Sequence, residues 1–218
     1  MPTRSGMSRR NLLQWGGAAA GVMVAGAVLP NFGISAALAA DLGEGDVGVL
    51  NYAYALEQLE AAFYTQVVDS PFSGATQNEI DVLSAIRDHE VEHREFLKKA
   101  LGHNAIPDLE VNFSKIHFGS RKSVLTTADT FENLGVAAYN GAGHLIRKVD
   151  YLAAAGGIVS VEARHCAAIA ELLHGESAAA AGGGHVNAKG LDMALSPARV
   201  LPKAKPFIKT PVTAMSLT

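Results

Sequence analysis

Apolar residues recur at spacings of three and four from Asp46 to Gly175, which is the period of an amphipathic α-helix rather than the alternation of a strand. The pattern predicts four helices, with Thr76 opening the second one through a Thr-x-x-Glu capping box. The helices cover about residues 46–68, 77–101, 123–149 and 158–174, with a short helical turn at 151–155. Two short loops and one long connection, residues 103–122, fit a bundle with one crossover.

Charged residues interrupt the apolar stripes that should face the core of this bundle. The second helix carries Glu90 and His93 on its inward stripe, and the fourth carries Glu162 and His165. Both pairs read Glu-x-x-His, a spacing that places a carboxylate and an imidazole about one turn apart on the same face. An ordinary bundle would have leucine at these positions.

The first and third helices each add one inward glutamate, Glu57 and Glu132, and a tyrosine follows each after seven residues, Tyr64 and Tyr139. The unit of glutamate, tyrosine and Glu-x-x-His therefore occurs twice, as a weak internal repeat. Glu60 lies near the same face as Glu57 and is the alternative candidate from the first helix. The matching tyrosines favour Glu57, which would leave Glu60 as a carboxylate at the rim of the site.

The roles of the two tyrosines stay open between chemistry and packing. Tyr64 and Tyr139 are candidates for hydrogen bonding to ligands or for redox chemistry, although packing is the commoner role of a buried tyrosine.

The other residues near these motifs that could carry chemistry are expected to lie outside the site. We expect His89 and His144 to point away from the site, and Cys166 to be a small buried residue rather than a nucleophile. Gly141 is expected to allow close approach of helices.

Four buried carboxylates require positive charge, because each unpaired one is strongly unfavourable in a protein interior. Two histidines cannot supply that charge, whereas two divalent cations can. Oxygen and nitrogen ligands without a thiolate favour iron first and manganese second, with zinc as a further option. The sequence therefore predicts two metal ions in the core of the bundle.

The first 39 residues differ in composition from the rest of the chain. They contain three arginines, two of them adjacent at Arg9-Arg10, and no acidic residue, and residues 15–29 are uncharged. The segment resembles a twin-arginine export signal, and the alanines at positions 37 and 39 predict cleavage before Ala40. An uncleaved membrane anchor over residues 16–40 is the alternative. Export by this route predicts a periplasmic protein, and the resemblance implies that it crosses the membrane folded and with its cofactor.

Net charge and cysteine content exclude other classes of protein. The 218-residue chain carries a formal charge of −3, and −6 once the three arginines of the signal are removed, so nucleic acid is not expected as a partner. Cys166 is the only cysteine, which excludes an internal disulfide and a four-thiolate cluster. Any sustained reduction would need an external electron donor. Contact with a membrane is expected only through the signal peptide. The sequence leaves open whether the protein forms a homo-oligomer.

Four segments resemble the ferritin-like superfamily, in particular its exported ferritin-like domain family of desiccation-related and fungal stress-response proteins. These segments are residues 50–64, 135–142, 161–165 and 195–201. The resemblance covers about residues 46–208 and implies an all-α, ferritin-like four-helix bundle with an extended C-terminal tail. It also implies six ligands of a metal pair, namely Glu57, Glu90, His93, Glu132, Glu162 and His165.

The predicted organisation is a signal peptide (1–39), a four-helix bundle (40–175), and a flexible link with an extended tail (176–218). The leading functional hypothesis is an exported di-iron protein that oxidises iron or reacts with O2 or hydrogen peroxide in protection against oxidative stress. A manganese catalase with the same ligand pattern is one alternative. A non-catalytic stress protein with a structural metal pair is another.

Overall fold

Four long helices form the body of the protein in the computed structural model, which describes residues 39–175, 178–214 and 216–217. The predicted signal peptide lies outside the described residues except for Ala39. In chain order the elements are strand β1 (Ala40–Asp41), helices α1 (Gly45–Asp69), α2 (Gln77–Leu101), α3 (Arg121–Ala142), α4 (Val149–His174) and α5 (Pro197–Ala204), and strand β2 (Val212–Thr213). Short 3-10 helices cover Gly102–Asn104, Gly143–Leu145, Ala178–Ala181 and Lys205–Phe207. The predicted all-α bundle is confirmed.

The long helices pack as two pairs, α1 with α2 and α3 with α4, and residues 102–120 cross over between the pairs. The predicted capping box opens α2, since Thr76 Oγ1 accepts from the backbone of Glu79 and Glu79 Oε2 accepts from the backbone of Thr76. Arg121, the first residue of α3, donates to Glu79 Oε1 and to the carbonyl oxygen of Leu172. This arginine therefore connects the start of α2 to the end of α4.

The crossover is attached to α1 by buried amide side chains. Asn51 donates to the carbonyl oxygens of Leu42 and Asn104 and accepts from the backbone N–H of Ile106. Gln58 accepts from the backbone of Leu109 in the same way. The crossover covers the side of α1 that an ordinary bundle helix exposes, so α1 is buried on almost every face. The two amides hold the crossover in this position.

The boundary between the third and fourth helices differs from the prediction. α3 ends at Ala142 rather than near residue 149, and α4 is one helix from Val149 that runs through Gly156-Gly157. The carboxylate of Asp46 accepts the backbone N–H groups of Arg147 and Lys148 and so satisfies donors at the entry to α4. This contact comes from a residue about a hundred positions away, which no local pattern reveals.

α4 is long and apolar enough, by length and composition, to cross a membrane. The core helix of a bundle meets the same criteria. Glu162 and His165 are both buried at the middle of α4 and face the other helices. We therefore describe α4 as a bundle helix.

The C-terminal segment is more structured than the flexible link and extended tail that the sequence predicts. Pro197 occupies the first turn of α5, where a missing N–H costs nothing, and Val200 is fully buried. β2 pairs in parallel with β1, joining Ala40 to Val212. Leu195 donates its backbone N–H to the carbonyl of Ala137 on α3.

Gly141 has a different packing role from the one expected. A Cβ atom at this position would overlap the carbonyl group of Leu195, so the glycine admits the backbone of the tail rather than a neighbouring helix. Leu195, Val200 and Ile208 of the tail belong to the buried apolar core of the bundle. The proline content of the tail does not reveal these long-range contacts.

Candidate metal centre

Six ionisable side chains from the four long helices meet in the core of the bundle. They are Glu57 from α1, Glu90 and His93 from α2, Glu132 from α3, and Glu162 and His165 from α4. All four glutamates have no exposed surface, and the side chain of His165 is 4% exposed against 12% for that of His93. The structure thus brings together all six residues that the resemblance implied as ligands.

These residues form two overlapping groups, and the ligand atoms of each group lie within 4.8 Å of one another. One group contains Glu57, Glu90, His93 and Glu162, and the other contains Glu90, Glu132, Glu162 and His165. Glu90 and Glu162 belong to both. If two metal ions bind, Glu90 and Glu162 would contribute to both positions, and each position would also have its own glutamate and histidine.

The distances around the two histidines follow a crossed pattern. Nδ1 of His93 lies 2.9 Å from Glu162 Oε1 on the opposite helix and 3.7 Å from Glu90 Oε2 on its own helix. Nδ1 of His165 lies 2.9 Å from Glu90 Oε1 and 3.7 Å from Glu162 Oε2. The sequence repeat therefore appears in three dimensions as an approximate two-fold symmetry of the site.

The remaining contacts complete that symmetry. His93 Nδ1 is 3.5 Å from Glu57 Oε2, and His165 Nδ1 is 3.3 Å from Glu132 Oε2. The second oxygen of each terminal glutamate accepts from a tyrosine: Tyr139 donates to Glu57 Oε1 and Tyr64 donates to Glu132 Oε1. Each tyrosine thus fixes one oxygen of a glutamate on the partner helix and leaves the other oxygen facing the site.

The donor set fits two metal ions. Among the described residues, the site contains eight buried side-chain atoms with no hydrogen-bond partner, since the short contacts between histidine and glutamate lack hydrogen-bond geometry. Each oxygen or nitrogen can be assigned to one of two positions with four ligand atoms. The first position has Glu57 Oε2, Glu90 Oε2, Glu162 Oε1 and His93 Nδ1, and the second has Glu132 Oε2, Glu90 Oε1, Glu162 Oε2 and His165 Nδ1. Buried polar atoms rarely stay unpartnered, so the pattern indicates a site that could hold a pair of cations.

The surrounding carboxylates strongly favour positive charge on the two histidines. Burial alone lowers the pKa of His93, but Glu162, Glu57 and Glu90 more than reverse this and raise it to about 12. Burial likewise lowers the pKa of His165, and carboxylates headed by Glu132 raise it to about 12. Without metal the imidazoles therefore hold protons where cations would otherwise bind.

Glu60 is buried beside the centre but belongs to neither group of ligand atoms. Burial, followed by repulsion from Glu90, raises the pKa of this carboxyl well above its usual range. A Cβ atom at Gly135 would lie 3.3 Å from Glu60 Oε1 and 3.7 Å from Glu162 Oε2. Gly135 follows Glu132 by three residues, as Glu60 follows Glu57, so the two residues occupy equivalent positions of the internal repeat. One half of the repeat therefore has a carboxylate at this position, and the other half has a glycine. Only Glu57 of these two glutamates belongs to a group of candidate ligand atoms, and its role as the ligand stays a prediction.

The prediction that His89 points away from the site is wrong. Its Nδ1 atom lies 2.9 Å from Nε2 of His165. His89 precedes Glu90 and lies four residues before His93, and this shared helix face was the signal that could have identified it. His144 is exposed in a 3-10 turn, as expected, and Cys166 is partly buried outside both ligand groups.

Comparison with known families supports the architecture. A family model described as a ferritin-like domain matches residues 45–175. No curated protein matches the chain significantly. The matched range extends from the start of α1 to the glycine that ends α4 and contains all six residues of the centre.

Proposed function

The chain belongs to the ferritin-like domain family, and on that premise we propose that it is an exported di-iron protein. Its function is to oxidise ferrous iron or to react with O2 or hydrogen peroxide in the periplasm, as part of protection against oxidative stress. Glu57, Glu90, His93, Glu132, Glu162 and His165 hold the two metal ions. Tyr64 and Tyr139 act on this centre through the glutamates that they contact.

One observation carries the proposal: eight unpartnered buried atoms divide into two matching sets of three oxygens and one nitrogen. Four carboxylates balance the charge of two divalent ions, so the filled site is close to neutral. Hard oxygen ligands with one imidazole per metal favour iron or manganese over copper, and neither set contains a thiolate. A structural zinc site, in contrast, is usually built around one ion with cysteine or histidine ligands.

A pair of redox-active metals in this position would supply two electrons to an oxidant such as O2 or peroxide. The protein contributes a rigid arrangement of ligands from four helices, and the two tyrosines hold the terminal glutamates in orientation. The exposed edge of His93 marks the side on which the centre lies nearest to solvent. Since the chain has a single cysteine, continued turnover as a peroxidase would draw electrons from an external donor.

Export is proposed from the composition of the first 39 residues. β1 begins at Ala40, directly after the predicted cleavage position, and Ala40 is buried. Its backbone nitrogen donates to the carbonyl of Pro211 over 2.7 Å. After cleavage the new amino terminus at Ala40 would still carry a donor in this position, so the hydrogen bond to Pro211 would remain.

The first experiment determines metal content. Mature protein, residues 40–218, recovered from the periplasm of a producing bacterium should contain two metal ions per chain, mainly iron. Glu90→Ala combined with His165→Ala should abolish stoichiometric binding. The matched control combines Glu92→Ala and His103→Ala, because both residues are exposed outside the site and should leave two metals bound. Equal metal content in the two double variants would overturn the proposal.

The second experiment separates the possible reactions. The iron-loaded protein is exposed to O2 and then to hydrogen peroxide, while iron oxidation, oxygen release and the absorption spectrum are followed. Oxidation of ferrous iron with a bridged-ferric spectrum supports the di-iron function. Oxygen evolution restricted to a manganese-loaded form would instead assign a manganese catalase. A fully loaded protein without turnover would overturn the enzymatic part and leave a structural metal pair in a stress protein.

A further inference from the structure

We infer that His89 is a positioning residue that orients His165 for metal binding and thereby makes the two metal positions unequal. The inference rests on the proposed metal pair. Nδ1 of His89 is 2.9 Å from Nε2 of His165, on the side of the ring opposite the carboxylates. His89 itself lies at the surface of α2. It is the outermost member of a chain of contacts from solvent to the centre.

The two rings are aligned for a hydrogen bond. Their planes differ by 7° and their centroids are 5.2 Å apart. This separation equals the distance between the two nitrogens plus the distance from each nitrogen to the centre of its own ring. The rings therefore lie edge to edge in nearly one plane, because face-to-face stacking would place the two nitrogens on separate layers. Such an in-line contact restrains the rotation of the His165 ring about its side-chain bonds.

Chemistry fixes the direction of this hydrogen bond. A neutral imidazole that binds a metal through Nδ1 carries its proton on Nε2. Nδ1 of His165 is the atom among Glu90, Glu132 and Glu162, so its Nε2–H donates outward. His89 Nδ1 is then the acceptor, and His89 keeps its own proton on Nε2, toward solvent. Metal-ligating histidines commonly donate their second N–H to such a partner, which fixes the ring and strengthens the ligand.

The internal repeat lacks this partner in its other half. His89 stands one residue before Glu90, and the equivalent position before Glu162 is Val161, which cannot accept a hydrogen bond. Among the described residues, no comparable contact meets the second ring nitrogen of His93. The side chain of His93 is also three times as exposed as that of His165. The ring of His165 is therefore restrained by a contact from outside the centre, whereas the ring of His93 lacks that restraint.

A cobalt titration tests this difference. We use Co2+ alone, added to metal-free mature protein with a competing chelator, and follow the visible absorption of bound cobalt. The wild-type protein should bind two ions with unequal affinity. His89→Phe should weaken the tighter position about 10–100-fold and change its spectrum, while the weaker position keeps its affinity. His89→Asn retains an acceptor near Nδ1 and should restore most of the loss.

Controls separate positioning from general damage. His103→Phe changes another exposed histidine and should leave both affinities unchanged. Unfolding of each metal-free variant shows whether the fold is intact, and His89→Ala replaces His89→Phe if the larger ring disturbs packing. In the zinc-loaded protein, 15N NMR of the histidine rings should show the proton of His165 on Nε2 and an acceptor at Nδ1 of His89.

The outcomes distinguish this inference from the proposed function. If wild-type protein binds no Co2+, the metal pair itself is wrong. If it binds two ions and His89→Phe binds them with unchanged affinities, the positioning role alone is overturned. Equal losses in His89→Asn and His89→Phe would also overturn it, because ring packing and not the hydrogen bond would then matter.

Discussion

Tyr139 on α3 donates a hydrogen bond to Oε1 of Glu57 on α1, and the two oxygen atoms are 2.5 Å apart. The partner contact from Tyr64 to Glu132 repeats the relationship in the opposite direction between the same two helices. Each tyrosine lies two turns after the glutamate of its own helix and reaches the glutamate of the other. The two bonds therefore connect the halves of the bundle directly at the candidate metal centre.

Removal of one tyrosine hydroxyl should weaken one metal position. Tyr139→Phe keeps the ring in the core but frees Glu57 to rotate, so we expect the metal next to His93 to bind about 10–100-fold less tightly. Tyr151→Phe is the matched control, since the Tyr151 ring contacts Lys148 outside the centre. Competitive metal titration measures both. Unchanged affinity in Tyr139→Phe would mean that Glu57 is held by packing alone.

Glutamine substitutions should distinguish Glu57 from Glu60. Glu57→Gln replaces a ligand carboxylate with an amide and should reduce the metal content from two ions toward one. Glu60→Gln should keep two ions, because Glu60 lies outside both ligand groups. Metal analysis after removal of loosely bound ions provides the measurement. The opposite result, with loss in Glu60→Gln only, would make Glu60 the ligand from α1.

The metal-free protein should lose stability as the pH rises. Burial raises the pKa of Glu132 from 4.5 to about 7, so the stability linked to its proton is fully present below pH 4.5 and is lost up to about pH 7. The carboxylates raise the pKa of His93 and His165 from 6.5 to about 12, so their contribution is present below pH 6.5 and decreases above it. All three shifts act in the same direction from pH 5 to pH 9.

Thermal unfolding across this pH range, with and without metal, checks the expectation. The metal-free protein should show a melting temperature that decreases from pH 5 to pH 9. Bound metal should raise it more at pH 8 than at pH 5, because protons compete with metal for the same ligands at low pH. A melting temperature of the metal-free protein that rises with pH would contradict the charge assignment of the core.

The substitution Gly141→Ala should detach the C-terminal tail from the bundle. The added methyl group would overlap the carbonyl of Leu195 and break the hydrogen bond from Leu195 to Ala137, so we expect a large loss of stability. Gly156→Ala is the matched control, because nothing lies within 4 Å of its Cβ position in the middle of α4. That control should stabilise the protein by about 0.5–1 kcal/mol. Denaturant unfolding compares the two variants, and equal stabilities would place the tail elsewhere in solution.

The sequence by itself determined the number of long helices and the residue types of the candidate metal centre. Helical periodicity depends on contacts three and four residues apart, so Glu90 with His93, and Glu162 with His165, could be placed on common faces without any tertiary information. The capping box at Thr76 is equally local, and the structure has both of its bonds. The charge argument for two metals also needs only the number of inward carboxylates.

The tertiary structure decided what depends on distant parts of the chain. Asp46 sets the start of α4, the backbone of Leu195 explains Gly141, and His89 meets His165 across two helices. Glu57 and Glu60 lie near the same face of α1, and the packing of that helix against its neighbours places only Glu57 in a group of candidate ligand atoms. Local patterns fix which residues turn inward, whereas the partner of each inward group depends on how four helices pack together.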